Sequence, residues 1–87
     1  MRLDKFLKVS RLIKRRTVAK EVADQGRVLI NGKKAKGAAN VKVGDELTIK
    51  FGQKHVVISV ERLEESMRKE DADTLYKLIK EERIPAD

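Results

Sequence analysis

The sequence predicts an α+β fold: two short N-terminal helices packed on a small antiparallel sheet, followed by a C-terminal helix. Three observations predict it. Apolar residues recur at helical spacing within residues 3–7 and 18–23, Asn31-Gly32 separates two short β-prone runs, and alternation of apolar and polar residues takes over between residues 46 and 60. With 87 residues there is room for one small domain, and a chain this short buries only about 60 to 65% of its unfolded surface. Its aromatics are limited to Phe6, Phe51 and Tyr76, so Leu, Ile and Val must supply the core.

Leu3, Phe6 and Leu7 follow the i, i+3, i+4 spacing of a buried stripe, with Lys5 and Lys8 on the other side. This is helix one. A second helix is expected from about Arg16 to Gln25, with Val18, Ala19, Val22 and Ala23 as a narrow apolar face and Gly26 ending it in a left-handed conformation. In residues 27–36, Asn31-Gly32 suits the positive φ values of a type I′ hairpin turn. Residues 37–40 read as a loop, and Val43-Gly44-Asp45 as a turn launching a strand over 46–51 in which Leu47, Ile49 and Phe51 alternate with polar neighbours. After a turn at 52–54, Val56, Ile58 and Val60 share one face of a further strand. Residues 61–70 are highly charged, and Asp71-Ala72-Asp73-Thr74 can start a last helix with Leu75, Tyr76, Leu78 and Ile79 apolar and Pro85 ending it. The expected division is a folded unit over 1–60, then a charged linker and C-terminal helix over 61–87.

Charge is unevenly distributed. Residues 1–36 carry twelve Lys and Arg against three acids, a net +9, whereas the remainder sums to −2. Nine net charges within 36 residues leave self-repulsion that a phosphate backbone would relieve while releasing counterions. Residues 61–87, with nine acids and six bases, are a poor surface for phosphates. The chain has no cysteine, which removes disulfides, thiol catalysis and zinc knuckles. Its first residues have charges among the apolar ones and offer no uninterrupted stretch for a signal peptide or membrane span, so the expected location is cytoplasmic.

Catalysis finds no constellation. His55 is the sole histidine, at the start of a predicted strand with no nucleophile or acid placed beside it, and reads as a strand-end residue. The glycines are isolated at turns and form no phosphate cradle, and the acids of 64–73 lack the spacing of a calcium loop. No catalytic residue, metal or cofactor is expected.

The basic residues instead form an arrangement. Arg11, Lys14, Arg15 and Arg16 lie between the helices, and Lys20 follows Arg16 by one helical turn, so one strip of surface can collect them. Arg27 enters the hairpin, whose far arm adds Lys33, Lys34 and Lys36 as a second basic edge across the turn at Gly26. Helices and hairpin together would make an L-shaped groove. Asp4 has two readings: a first-turn acid paired with Lys8, which is favoured, or an acid that orients Arg2 or Arg16 for RNA contact. No long recognition helix is evident and aromatics are scarce, which favours structured RNA over DNA base readout or single-strand stacking platforms.

Met1-Arg2-Leu3-Asp4-Lys5-Phe6-Leu7, Arg15-Arg16-Thr17, the run from Gly26 to Gly32 and Val43-Gly44-Asp45 together resemble the RNA-binding domain named after the fourth small-subunit ribosomal protein, the alpha-L motif, over roughly residues 1–60. Among stand-alone members the chain is most similar to the heat-shock protein fifteen / RqcP ribosome quality-control family. It departs from the former in ending acidic, where such relatives extend into a basic tail. The resemblance implies contacts to ribosomal RNA or tRNA by Arg2, Lys5, Lys8, Arg15 and Arg16, with Arg27, Asn31 and Lys33 from the hairpin. It also implies a non-enzymatic factor that steadies peptidyl-tRNA on obstructed large subunits while an RqcH-type partner supports C-terminal alanine tailing. Off the ribosome a monomer is expected. Three rival readings remain: a general rRNA chaperone or ribosome-assembly factor, a protein-interaction module using the acidic C-terminal helix, and an RNA-modifying enzyme, which survives only if the catalytic domain is a separate chain.

Overall fold

The alternating segments 46–51 and 54–60 do form the centre of an antiparallel sheet, but the sheet runs further toward the C-terminus than the sequence predicts. A computed structural model describes residues 1–84. Helices α1 (Leu3–Val9) and α2 (Arg16–Asp24) precede strands β1 (Val28–Ile30), β2 (Lys33–Lys34), β3 (Glu46–Phe51) and β4 (Lys54–Val60). A 3-10 segment (Lys69–Leu75) then leads into β5 (Tyr76–Arg83). The five strands lie in the order β2-β1-β3-β4-β5, every pair antiparallel.

The two helices are placed by short-range chemistry. In α1, Leu3, Phe6 and Leu7 are all fully buried, as the spacing predicts. The helix ends at Arg11, whose φ of 62° puts a non-glycine residue in the left-handed position while its N–H donates to the Lys8 carbonyl (3.0 Å). In α2, Ala19 and Ala23 are buried but Val18 is 40% exposed, so the apolar face is narrower than expected. A Schellman motif closes this helix: the Gly26 N–H donates to the Ala23 carbonyl (2.9 Å) and the Arg27 N–H to the Val22 carbonyl (3.2 Å), with Gly26 at φ 79°.

Asn31 and Gly32 have φ of 51° and 83°, the type I′ signature, and pair Ile30 with Lys33 across the turn. The hairpin does not stand alone, because β1 also pairs with β3 in the register Val28↔Ile49, Leu29↔Thr48, Ile30↔Leu47. Leu47, Ile49, Val56, Ile58 and Val60 present one face of the sheet to α1, Ile13, Ala19, Ala23 and Val41, forming the core. Burying this aliphatic face against two short helices is what holds the domain together.

The predicted helix over 71–83 is not formed. Its polar start becomes the 3-10 segment, where the Thr74 hydroxyl donates to the Asp71 carbonyl (2.6 Å) and Ala72 and Leu75 are buried. From Tyr76 the chain is extended, pairing with β4 from Val60↔Tyr76 to Lys54↔Arg83. The helical spacing of Leu75, Tyr76, Leu78 and Ile79 arises from a β-bulge: Ile58 faces Leu78 and Val57 faces Lys80, so Ile79 is the extra residue. An unpaired β4 edge offers a whole ladder of backbone hydrogen bonds, and that outweighs the weak helical preference of a charged octapeptide. The ending expected at Pro85 lies outside the described residues. The interaction-module reading therefore loses the acidic helix on which it rested. Among the described residues, no helix is long and apolar enough to cross a membrane, and no group of three or more His, Asp or Glu could hold a metal.

Candidate nucleic-acid interface

The start of the chain is pinned before the site is built. The Leu3 N–H donates to the Ala39 carbonyl (2.8 Å), the Asp4 N–H to the Gly37 carbonyl (3.0 Å), and Val41 donates to the Met1 carbonyl (2.8 Å). This lays Arg2 at the N-terminal end of α1 beside α2. Asp4, only 2% exposed, then accepts from Arg2 through both oxygens, from Nε at 3.2 Å and from Nη2 at 3.0 Å, and from Arg16 Nε at 3.3 Å.

Both arginine side chains remain 48% exposed, so one buried carboxylate holds two half-exposed guanidinium groups. They line a recess of about 310 Å³ with Thr17 and Lys20. A planar fork held by its Nε edge keeps further N–H donors for an incoming phosphate and loses little freedom when one arrives. The favoured reading of Asp4 as a partner of Lys8 is thus corrected: among the described residues its partners are Arg2 and Arg16, because its side chain turns toward α2 rather than along α1.

The other basic residues divide. Lys8, Lys14, Arg15, Lys33, Lys34 and Lys36 are exposed, and Arg27 is half-buried. Lys20 is bound by Asp24 (2.7 Å), whose other oxygen accepts from the Gly37 N–H (2.9 Å). The hydrogen bond with Asp24 raises the Lys20 pKa, and Lys20 followed by the Gly37 amide lowers that of Asp24. A lowered carboxylate contributes stability above its unfolded value and loses it as the pH falls through the folded one, so this tie weakens in acid. Gly37 sits in the turn closed by the Ala39 N–H donating to the Lys36 carbonyl (2.9 Å), and it has a second role: a Cβ there would lie 3.0 Å from the Lys20 Cα. The sequence reading missed Asp24, Thr17 and this role of Gly37. An acid four residues after Lys20 was the available signal for the first.

Asn31 is occupied internally, its amide nitrogen donating to Asp45 Oδ1 (3.1 Å) and its oxygen accepting from the Glu46 N–H (2.9 Å). It clamps the hairpin to the start of β3. Arg11 is not brought to the Arg2–Arg16 recess; it lines a different groove with Asp73, Tyr76 and Glu81. Lys5 is paired with Glu65. An exposed ion pair of this kind contributes at most about 1 kcal/mol, so Glu65→Gln is expected to leave thermal stability unchanged and to raise RNA affinity by up to about threefold. Equal or weaker affinity in a filter-binding titration would remove Lys5 from the interface.

The helical strip and the hairpin do meet. Gly37 packs against Lys20, and a second recess lined by Ala23 to Gly26 and Lys34 to Lys36 lies at the other end of α2. Helix α2 is the shared wall. The S4 domain family model matches residues 1–47, which span this whole surface. The RQC P-site tRNA stabilizing factor of Bacillus subtilis (strain 168) is 62% identical over 84 residues, covering 97% of this chain and 98% of that protein. That of Listeria monocytogenes is 65% identical over 83 residues, covering 95% and 90%. Among solved structures, the trimeric Heat Shock Protein 15 of Vibrio cholerae superposes with a TM-score of 0.85 at 31% identity, over 91% of this chain and 81% of that one. The chain belongs to the S4 domain family, among the relatives named RQC P-site tRNA stabilizing factor.

Proposed function

We propose that this protein is a non-enzymatic RNA-binding factor of ribosome-associated quality control, stabilising peptidyl-tRNA in the P site of obstructed large subunits. The observation that carries the reading is the pair of half-exposed arginines, Arg2 and Arg16, held by one buried carboxylate, in a chain 62% identical to a P-site tRNA stabilizing factor. Such a pair grips phosphates by position and charge and moves no bond. The footprint is Arg2 and Arg16 in the recess, the exposed Lys8, Lys14 and Arg15 of α1 and the connection to α2, and Arg27, Lys33, Lys34 and Lys36 of the hairpin segment. It acts in the cytoplasm, as a monomer off the ribosome, alongside an RqcH-type factor.

The test is co-sedimentation with large subunits that retain peptidyl-tRNA. Neutralising about five phosphates predicts a log-log dependence of affinity on salt with a slope of roughly −4 to −5. Arg16→Ala should weaken association about tenfold and flatten that slope by roughly one, with the fold intact. Unchanged co-sedimentation of this variant would overturn the assignment of the recess.

A further inference from the structure

The recess at the C-terminal end of α2 differs in kind from the one at Arg2 and Arg16. It is a notch of about 270 Å³ lined by Ala23, Asp24, Gln25, Gly26, Lys34, Ala35 and Lys36. That is just below the range of about 300–1,000 Å³ for small-molecule sites, so it can take one planar group and little more. Its floor is apolar: Ala23 is 1% exposed, and Ala35 is half-buried and packs on the core. One wall is the stem of Lys34, whose Cδ lies 3.3 Å and Nζ 3.7 Å from where a Cβ on Gly26 would be. Glycine at position 26 therefore does two things, taking φ 79° to close the helix and leaving the space that the lysine stem crosses.

Charge decides what can enter. The notch opens on the carbonyl end of α2, and the Asp24 carboxylate is in its lining. Both disfavour an anion inside. Lys34 and Lys36 are exposed at the rim, where they favour one. A group that is neutral, flat and rich in N–H donors, carried on a phosphate, satisfies both ends at once. Gln25 is exposed at the rim, with an amide that supplies a donor and an acceptor for a base edge.

We infer that this notch receives one unpaired nucleotide of the bound RNA, its base against Ala23 and Ala35 and alongside the Lys34 stem that covers Gly26, and its phosphate on Lys34 and Lys36. This rests on the RNA-binding reading above and adds to it: a duplex offers only backbone to this surface, whereas a bulge or loop offers a base that can be turned out. The hairpin edge thereby selects for irregular RNA, and the Arg2–Arg16 recess supplies grip without that preference.

The probes are a short RNA duplex with one bulged cytidine, whose exocyclic amino group supplies two N–H donors, and the same duplex without the bulge, titrated against the full chain over a range of salt. The native protein is expected to bind the bulged duplex about tenfold more tightly, in line with the contribution of one docked base. Ala35→Leu, which fills the notch and alters no charge, should cut that preference below about threefold with the salt slope unchanged. Gln25→Ala, at an exposed position, should reduce it in the same direction and guards against misfolding of the first variant. Equal binding of both duplexes by the native protein, or full retention of the preference by both variants, overturns the notch while leaving RNA binding in place. Failure to bind either duplex overturns the RNA-binding reading and this inference with it.

Discussion

Leu75→Ala is expected to destabilise the protein by about 2–5 kcal/mol, the cost of removing a fully buried Leu from a core that cannot collapse onto the gap. A domain of this length has roughly 4–13 kcal/mol in total, at about 0.05–0.15 kcal/mol per residue. The variant should therefore melt at least about 10 °C lower, and at the upper end it will not fold at all. Leu75 sits at the joint between the 3-10 segment and β5, with its carbonyl accepting from the Glu61 N–H (2.9 Å). The side chain packs into the same cluster as Phe6, Leu47 and Ile58. If residues 61–84 were a dispensable appendage, the loss would be under about 0.5 kcal/mol, the range of surface substitutions. Chemical denaturation monitored by circular dichroism separates the two outcomes. A chain cut after Val60 should fare worse still, since it also bares the edge of β4 and invites pairing between molecules.

Replacing both Arg2 and Arg16 by Ala should cost more than the sum of the single replacements. Each single variant leaves Asp4 one partner, whereas the double variant strands a carboxylate that is 2% exposed. An unpaired buried charge costs about 3 kcal/mol or more. Adding Asp4→Asn to the double variant removes the stranded charge and should restore at least half of the lost stability. It should restore none of the RNA affinity, because the guanidinium groups are still missing. A triple variant no more stable than the double would show that Asp4 is not dependent on these two arginines. Recovery of RNA binding in the triple variant would place the phosphate contacts elsewhere.

Such coupling explains why the acid's role was only half legible in the sequence. Asp4 in the first turn of α1 satisfies a local rule, and the local rule pointed to Lys8 along the same helix. The pairing with Arg16 joins residues twelve apart across two helices. It exists because Ala19 and Ala23 are small enough to let α2 pack closely against the rest of the core, and because Asp4 is held by the Gly37 carbonyl. Asn31 presents the same contrast. Its place in the type I′ turn followed from the dipeptide alone, but its clamp on Asp45 and Glu46 depends on β3 lying beside β1.

Patterns that involve near neighbours were thus readable from the sequence: α1, the glycine end of α2, the Asn31-Gly32 turn, the alternating strands β3 and β4, and the concentration of positive charge in residues 1–36. Each is set by backbone sterics, side-chain period or composition, which act over a few residues. The tertiary structure decided three things. It made residues 76–83 a strand, since the open edge of β4 supplied hydrogen bonds that a short charged helix could not match. It gave Arg2 and Arg16 to Asp4 and turned Arg11 away to another groove. It also brought Lys34 across Gly26 to wall a notch that no spacing rule describes. In each case the deciding contact is between residues distant in sequence, and its free energy depends on burial and charge that exist only once the sheet has formed.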